Sequence, residues 1–422
     1  MTDFESTNLF TSLPLAADPH PYYRYLQQKG GAVRLPYNGV VAAVDYEETL
    51  AVLRDDDRFS AVNAINGPFP PLPFVPEGDN ITGQIDAFRE TMPFGGLIAS
   101  QDSPQHPRTR SLLGGIITPK RLKENEEFMW KLADRQIDTF IDRGTFEVVA
   151  DYGRPFAAMV IADLLGVPAE DHQEVAGLVA STSVVPGTIG AVNTAVNPLE
   201  AMGMRLYQYL AERRAQPRSD VLTDLAAARY PDGTLPELAD VVGLATFLFA
   251  AGQDTTVRLF TAALKYLAED PDLQARVRAD RALIPNLIEE ALRLEGAVKG
   301  NFRLTRVPVK VGDLDLPPGT HVMQLLAAAN RDPRRFERPD EIDLDRRNIK
   351  EHLSFGRGIH SCPGAPLARI EARITLERLF ERTADIHIDA AFHGPAGTRR
   401  FEYEPTYMFH GLNALHLRFT RA

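Results

Sequence analysis

Apolar residues fall at helical spacing through most of the chain between Pro104 and Leu294 and alternate with polar ones near both ends, so the pattern predicts a helical body with small sheets. Near the start, "VRLPYNGVVAAV" reads as two short strands joined by a tight turn at Asn38-Gly39. Alternation returns in "VPVKVGDLDLPPGTHVMQLL" and in the C-terminal "ALHLRF". Residues 61–101 are rich in proline and glycine and read as a long irregular loop, a kind usually functional or disordered. A second interruption, "STSVVPGTIGAVNTAVNP" at 181–198, has the composition of a segment that gates an enclosed site. No repeat, low-complexity tract or long polar linker divides the chain. The expectation is one domain over residues 1–422, of mainly α (α+β) class.

Three predicted helices matter to the reading, two of them with unusual polar positions. The longest begins near Thr234 and Glu237, which have capping-box spacing, and runs to about Glu269 before Pro271. At 1.5 Å per residue it would extend roughly 50 Å. In its middle, Gly252-Gln253-Asp254-Thr255-Thr256 sets a glycine beside an acid and two hydroxyls, which is expected to loosen the helical ladder and open a groove. In "NLIEEALRLEG", Leu287, Ala291 and Leu294 line one face together with Glu290, while Glu289 points the other way. Arg293, three residues on, is placed to pair Glu290. In "APLARIEARITLERLF", Leu367, Ile370 and Ile374 repeat at helical spacing, and Pro363 suits the first helical position.

Just before that helix stands Cys362, the only cysteine of 422 residues, which excludes an internal disulfide and suits a reducing compartment. A helix start favours thiolate over thiol. Gly356, Gly358 and Gly364 leave room for a large flat object to approach the backbone. On these residues alone a buried structural cysteine, a nucleophile and a metal ligand all compete. His360 does not by its position supply the geometry of a nucleophile's base. Tetrahedral zinc would need more soft ligands nearby, whereas one thiolate suffices when a macrocycle supplies the remaining ligands, as in haem.

The stretch "FGRGIHSCPG", Phe355 to Gly364, resembles the haem-binding loop of the cytochrome P450 family, with every fixed position filled. That resemblance implies a P450-like fold with a long central helix and small β-sheets, and haem b (iron protoporphyrin IX) as cofactor. It makes Cys362 the proximal ligand, whose thiolate pushes electron density to the iron and favours O–O cleavage. Phe355 would pack against the ligand region and His360 would contact a propionate. The central helix resembles the family's oxygen-binding motif, implying Asp254 and Thr255 as an acid–alcohol pair. Glu290 and Arg293 match the family's structural pair, with Arg346 as its third member. "DSPQHPRTRSLL" matches a histidine–x–x–x–arginine pattern, giving His106 and Arg110 as propionate partners. Arg303 fits another such arginine, with Arg306 as its rival. Leu248, Ala251, Val298 and Phe302 are the expected pocket-lining residues, and Lys299 beside them is expected to point to water.

The activity so implied is a bacterial-type monooxygenase acting on a compact hydrophobic substrate such as a terpenoid, steroid or aromatic. A single cysteine cannot hold an iron–sulfur cluster, so electrons are expected from NAD(P)H through a separate reductase and ferredoxin. Arg346, Arg347, Lys350, Arg357 and Arg369 form either a basic face for such an acidic partner or scattered solvated charges. A peroxide-driven peroxygenase and a non-catalytic haem-binding or gas-sensing protein are the alternatives. The net charge of −11 disfavours nucleic acid. The longest apolar run, "VVGLATFLFAAG", is too short to span a bilayer. With no signal-peptide pattern at the N-terminus, a cytoplasmic monomer is expected.

Overall fold

The computed structural model describes residues 4–172, 174, 175, 177, 187–189 and 198–422. Its principal helices are α1 (His20–Lys29), α2 (Tyr46–Arg54), α3 (Thr82–Phe88), α4 (Gln105–Ser111), α5 (Pro119–Asp138), α6 (Arg154–Leu165), α7 (Pro198–Ala215), α8 (Leu238–Glu269), α9 (Ile284–Leu294) and α10 (Ala365–Arg382). The strands are β1 (Ala32–Arg34), β2 (Val41–Ala43), β3 (Phe59–Ser60), β4 (Thr145–Glu147), β5 (Asn301–Thr305), β6 (Val309–Val311), β7 (Leu314–Leu316), β8 (His321–Gln324), β9 (Thr383–Ile388) and β10 (His416–Arg421). They form sheets ordered β1-β2-β8-β5-β3, β4-β10-β9 and β6-β7. This is the mainly α layout with small sheets that the pattern predicts, except that β4 lies within the helical stretch.

The first hairpin turns where expected. Asn38 and Gly39 both take positive φ, 61° and 62°, which an Asn-Gly pair tolerates and most pairs do not. Helix α8 is apolar nearly all round, so it is enclosed: α6, α7, α9, α10 and β9 pack against it. Its N-cap is Glu237, without a side-chain capping bond, so the Thr234–Glu237 box does not form; the Thr234 carbonyl instead closes a turn with the Tyr230 N–H. The helix stays continuous across Gly252–Thr256. There the hydroxyls of Thr255 and Thr256 donate to the carbonyls of Ala251 and Gly252, each at 2.8 Å, sharing those acceptors with the ladder rather than breaking it.

Residues 61–101 are more ordered than a loop reading implies. They contain α3 and two short 3₁₀ turns, and Val62, Ile81, Ile85 and Met92 cluster on Leu304 of β5. Most of the interruption at 181–198 lies outside the described residues.

Candidate functional site

Helix α10 begins at Ala365, not at Pro363; Pro366 takes the early helical position and Gly364 the N-cap, with no capping side chain. Backbone N–H groups of Gly364 and Ala365 reach the Cys362 sulfur instead, so the thiol occupies the place of a cap. The Cys362 N–H donates to the Phe355 carbonyl at 2.8 Å, closing the loop on itself. Gly358 is required for a reason the sequence did not suggest: at φ 74° its missing Cβ would stand 2.5 Å from the Leu53 carbonyl of α2. Cys362 is accessible, yet crowded enough that burial pushes its thiol up, against the pull of those N–H groups and of Arg110. A side chain both accessible and crowded borders an internal space.

Four basic side chains gather at this loop. Arg110 of α4 donates to the Ser361 carbonyl at 2.7 Å. The rings of His106 and His360 lie 4.0 Å apart. Arg303 of β5 is buried, and its Nη1 donates only to the Phe302 carbonyl at 2.8 Å. Neither Arg110 nor Arg303 has an ion pair among the described residues. His106 is pushed down to about 4 by burial, then by Arg110 and Arg303. His360 falls to about 2 by burial, then by Arg303, His106 and Arg110. Burial also brings Arg303 down to about 10, opposed by Asp102 and Asp56. Two arginines without an ion pair among the described residues, together with a buried and unpartnered His106 Nδ1, fit the two carboxylates of a haem. Arg306, the rival, differs from Arg303 in having a counter-charge: its Nη2 lies 2.9 Å from Asp102.

Asp254 and Ala251 are accessible in the otherwise enclosed middle of α8, Thr255 is half-buried, and Leu248 one turn earlier is buried. Helix α8 packs on α10, the helix that starts at Cys362. Val298 is half-buried. Phe302 does not join this group. Alternation along β5 sends it to the face opposite Arg303, where it is fully buried against Phe10, Tyr407 and Gly67. Lys299 does not reach water: it is buried, donates to the Ala16 carbonyl at 2.8 Å, and burial brings it down to about 7.

Behind the loop, Glu290 and Arg293 form a bidentate pair at 2.6 and 2.9 Å, fully buried, and Arg346 Nε donates to the same carboxylate at 3.0 Å. Glu289 does not face water either. It is buried and accepts Arg369 at 2.5 and 2.9 Å and His352 at 3.0 Å, while Arg369 also lies over the Phe355 ring, 4.6 Å from its centre. Arg346 and Arg369 are therefore committed inward and leave the supposed basic face to Arg347, Lys350 and Arg357. Sequence spacing gave no signal for this second pair, because Glu289 is satisfied from α10, far along the chain.

A thiol at a helix start, beside two arginines without ion pairs among the described residues, has the chemistry to fit a flat, dianionic macrocycle held on one sulfur. The family model for cytochrome P450 matches residues 200–383. Cytochrome P450 144 of Mycobacterium tuberculosis is 33% identical over 394 residues, covering 92% of this chain and 87% of that protein. The cytochrome P450 monooxygenase PikC of Streptomyces venezuelae is 32% identical over 414 residues, 96% of this chain and 92% of that one. The solved structure of substrate-free cytochrome P450 CYP150A6 from Mycobacterium marinum matches with a TM-score of 0.94 and 51% identity over 100% of both chains. The chain belongs to the cytochrome P450 family and is a haem-dependent monooxygenase. No helix among the described residues is long and apolar enough to cross a membrane.

Proposed function

We propose that this chain, as one P450 unit over residues 1–422, places one atom of dioxygen into a compact hydrophobic substrate of terpenoid, steroid or aromatic kind. The carrying observation is the accessible Cys362 in a loop where four basic side chains gather, two of them arginines without ion pairs among the described residues. Cys362 would hold haem b, with His106, Arg110, Arg303 and His360 binding its propionates and Phe355 and Gly364 shaping the loop. Bound haem supplies the activation of dioxygen and the electron-transfer chemistry. The protein's own contribution is orientation, exclusion of water and proton handling. Thr255 Oγ1 spends its proton on the Ala251 carbonyl, so its lone pairs are free to hold the proton of a water in the cleft. Asp254, accessible on the same turn, would exchange protons with that water. Leu248, Ala251 and Val298 offer an apolar lining.

Electrons would come from NAD(P)H through a separate reductase and ferredoxin, which would meet the exposed Arg347 and Lys350 with the half-buried Arg357. The protein would act as a cytoplasmic monomer.

The test is spectral and then catalytic. Reduced, carbon-monoxide-bound protein should give the red-shifted Soret band of a thiolate-ligated haem, and Cys362→Ala should lose it. A histidine-type band from folded wild-type protein would remove the assignment. Turnover should require ferredoxin and reductase; equal turnover with peroxide alone would instead mark a peroxygenase. A screen of hydrophobic compounds for substrate-type spectral shifts then identifies the substrate class.

A further inference from the structure

One arginine touches the thiol loop on both sides of the sulfur. Arg369 stands on α10, the helix that follows Cys362. Its guanidinium lies over the Phe355 ring, 4.6 Å from the centre, and the Phe355 carbonyl accepts the Cys362 N–H at 2.8 Å. Its Nη1 reaches the Ala365 carbonyl at 3.4 Å, and the Ala365 N–H is one of the two that reach the sulfur. Its Nε and Nη2 close on Glu289 of α9 at 2.5 and 2.9 Å. Glu289 also accepts from His352 Nε2 at 3.0 Å, while His352 Nδ1 accepts the Ser354 N–H at 3.2 Å, so that imidazole is neutral. Burial alone would raise the Glu289 carboxyl; the bonds from Arg369 and His352 outweigh it and hold it down to about 2. An anion and a cation therefore balance each other beside the loop.

We propose that Glu289 and Arg369 are positioning residues that set how strongly the Cys362 thiolate donates to bound haem, and with it the reduction potential of the cofactor. Donation weakens when positive charge stands near the sulfur, and the added electron of the reduced cofactor is then better tolerated. A guanidinium on the Phe355 ring and the Ala365 carbonyl stands at that place, and Glu289 offsets its charge. The two charges are not screened alike: the Glu289 side chain is 4% exposed and that of Arg369 37%. Removing either one therefore leaves the other acting on the loop, with opposite sign. The fork also fixes geometry, because two bonds to one carboxylate hold the guanidinium plane where it meets the ring. Glu290, the neighbour of Glu289 on α9, turns to Arg293 and Arg346 instead, so the adjacent carboxylates serve separate pairs.

This inference rests on the haem site proposed above, and the experiment separates the two. Redox titration of the holoprotein at pH 8, where an ordinary imidazole is neutral, gives the potential, and resonance Raman of the same samples gives the Fe–S stretch. Glu289→Gln leaves Arg369 uncompensated. It should raise the ratio of reduced to oxidised protein at a fixed potential about 3-fold, or about 30 mV at 59 mV per decade. Arg369→Gln leaves Glu289 uncompensated and should lower that ratio by a similar factor. The Fe–S stretch should fall in the first variant and rise in the second, and the double variant should return close to wild type. A merely structural role would loosen the loop in all three and move them the same way. Shifts of one sign, or an Fe–S stretch that does not move, would overturn the proposal. If Arg369→Gln does not load haem, Arg369→Lys takes its place: the charge is kept, so its potential should stay near wild type while that of Glu289→Gln rises, and a shared shift is the contrary result. A histidine-type carbon-monoxide band from wild type would overturn the haem reading itself. Shifts of one sign in protein that keeps the thiolate band would overturn this inference alone.

Discussion

Arg110 donates from α4 to the carbonyl of Ser361, the residue immediately before Cys362, at 2.7 Å. One guanidinium thus braces the thiol loop while remaining free of any ion pair among the described residues. Its charge also draws the Cys362 thiol downward, against burial.

Arg110→Ala should therefore weaken cofactor retention twice over, by loosening the loop and by removing a propionate partner. A lost charge-assisted bond in a half-buried site is worth about 1.5–3 kcal/mol, so haem should dissociate about 10-fold or more faster. The measurement is transfer of haem to an excess of apomyoglobin. Arg110→Lys keeps the charge without the planar fork and should fall between the two. Transfer at the wild-type rate from Arg110→Ala would show that Arg110 carries no part of the anchoring.

The Glu290–Arg293–Arg346 group should govern folding rather than chemistry. Glu290 is 0% exposed and also accepts the Asp343 N–H at 2.8 Å. Glu290→Gln leaves two buried guanidinium groups facing a neutral amide, and breaking a buried pair this way costs about 3–5 kcal/mol. The expected outcome is a large drop in the denaturation midpoint and in the yield of haem-loaded protein. Arg346→Lys should cost less, because Arg293 still pairs the carboxylate bidentately. Equal stability of Glu290→Gln and wild type would contradict the buried geometry.

The parts of this molecule legible in sequence are those in which chemistry is local. The Asn38-Gly39 turn, helix α8 and the Cys362 loop each announce themselves within a few residues, because turn geometry, apolar periodicity and ligand spacing are short-range. Glu290 with Arg293 is legible for the same reason, as neighbours three apart on a helix. Asp102, Glu289 and Lys299 are not. Each is a charged residue whose exposed reading is correct for most sequences, and each is buried here because its partners arrive from distant segments: Arg306 for Asp102, Arg369 for Glu289, the Ala16 carbonyl for Lys299. Phe302, expected at the pocket, lies on the side of β5 opposite Arg303, since alternation decides which side of the strand meets the site and the sequence alone does not say which.

His321 gives a pH dependence of known sign. Asn63 Nδ2 donates to its Nδ1 at 3.0 Å, so the ring is neutral in this arrangement, and burial pushes its pKa down to about 4. The unfolded chain takes up the proton near 6.5. This residue's contribution to stability is therefore intact above about pH 6.5 and lost as pH falls from there toward 4, at up to about 1.4 kcal/mol per pH unit. His321→Gln keeps an acceptor for Asn63 without titrating. Urea unfolding at pH 7 and pH 5 should show the variant losing less stability than wild type over that interval. Equal losses would mean that His321 titrates normally in the folded protein.

Thr255 supplies the sharpest test of the central helix. Its hydroxyl donates to the Ala251 carbonyl at 2.8 Å, so toward the accessible face it can only accept. Such an acceptor would fix the orientation of a water and aim that water's second proton away from the helix, while Asp254 on the same turn is exposed. Neither haem retention nor iron reduction uses this hydroxyl, so both should survive Thr255→Ala. What should fail is the coupling of electron consumption to product. Product per NAD(P)H oxidised should drop several-fold and hydrogen peroxide should rise to match, because protons then arrive through unordered water. Asp254→Asn should instead slow turnover about 10²-fold, the scale of one positioned proton transfer. Thr255→Ser, which keeps the hydroxyl and loses only the methyl group, should retain most of the coupling and separates the hydrogen bond from packing. The experiment measures product, peroxide and NAD(P)H together in all three variants. Full coupling in Thr255→Ala would leave the Asp254-Thr255 step as an accessible helix face with no part in proton delivery.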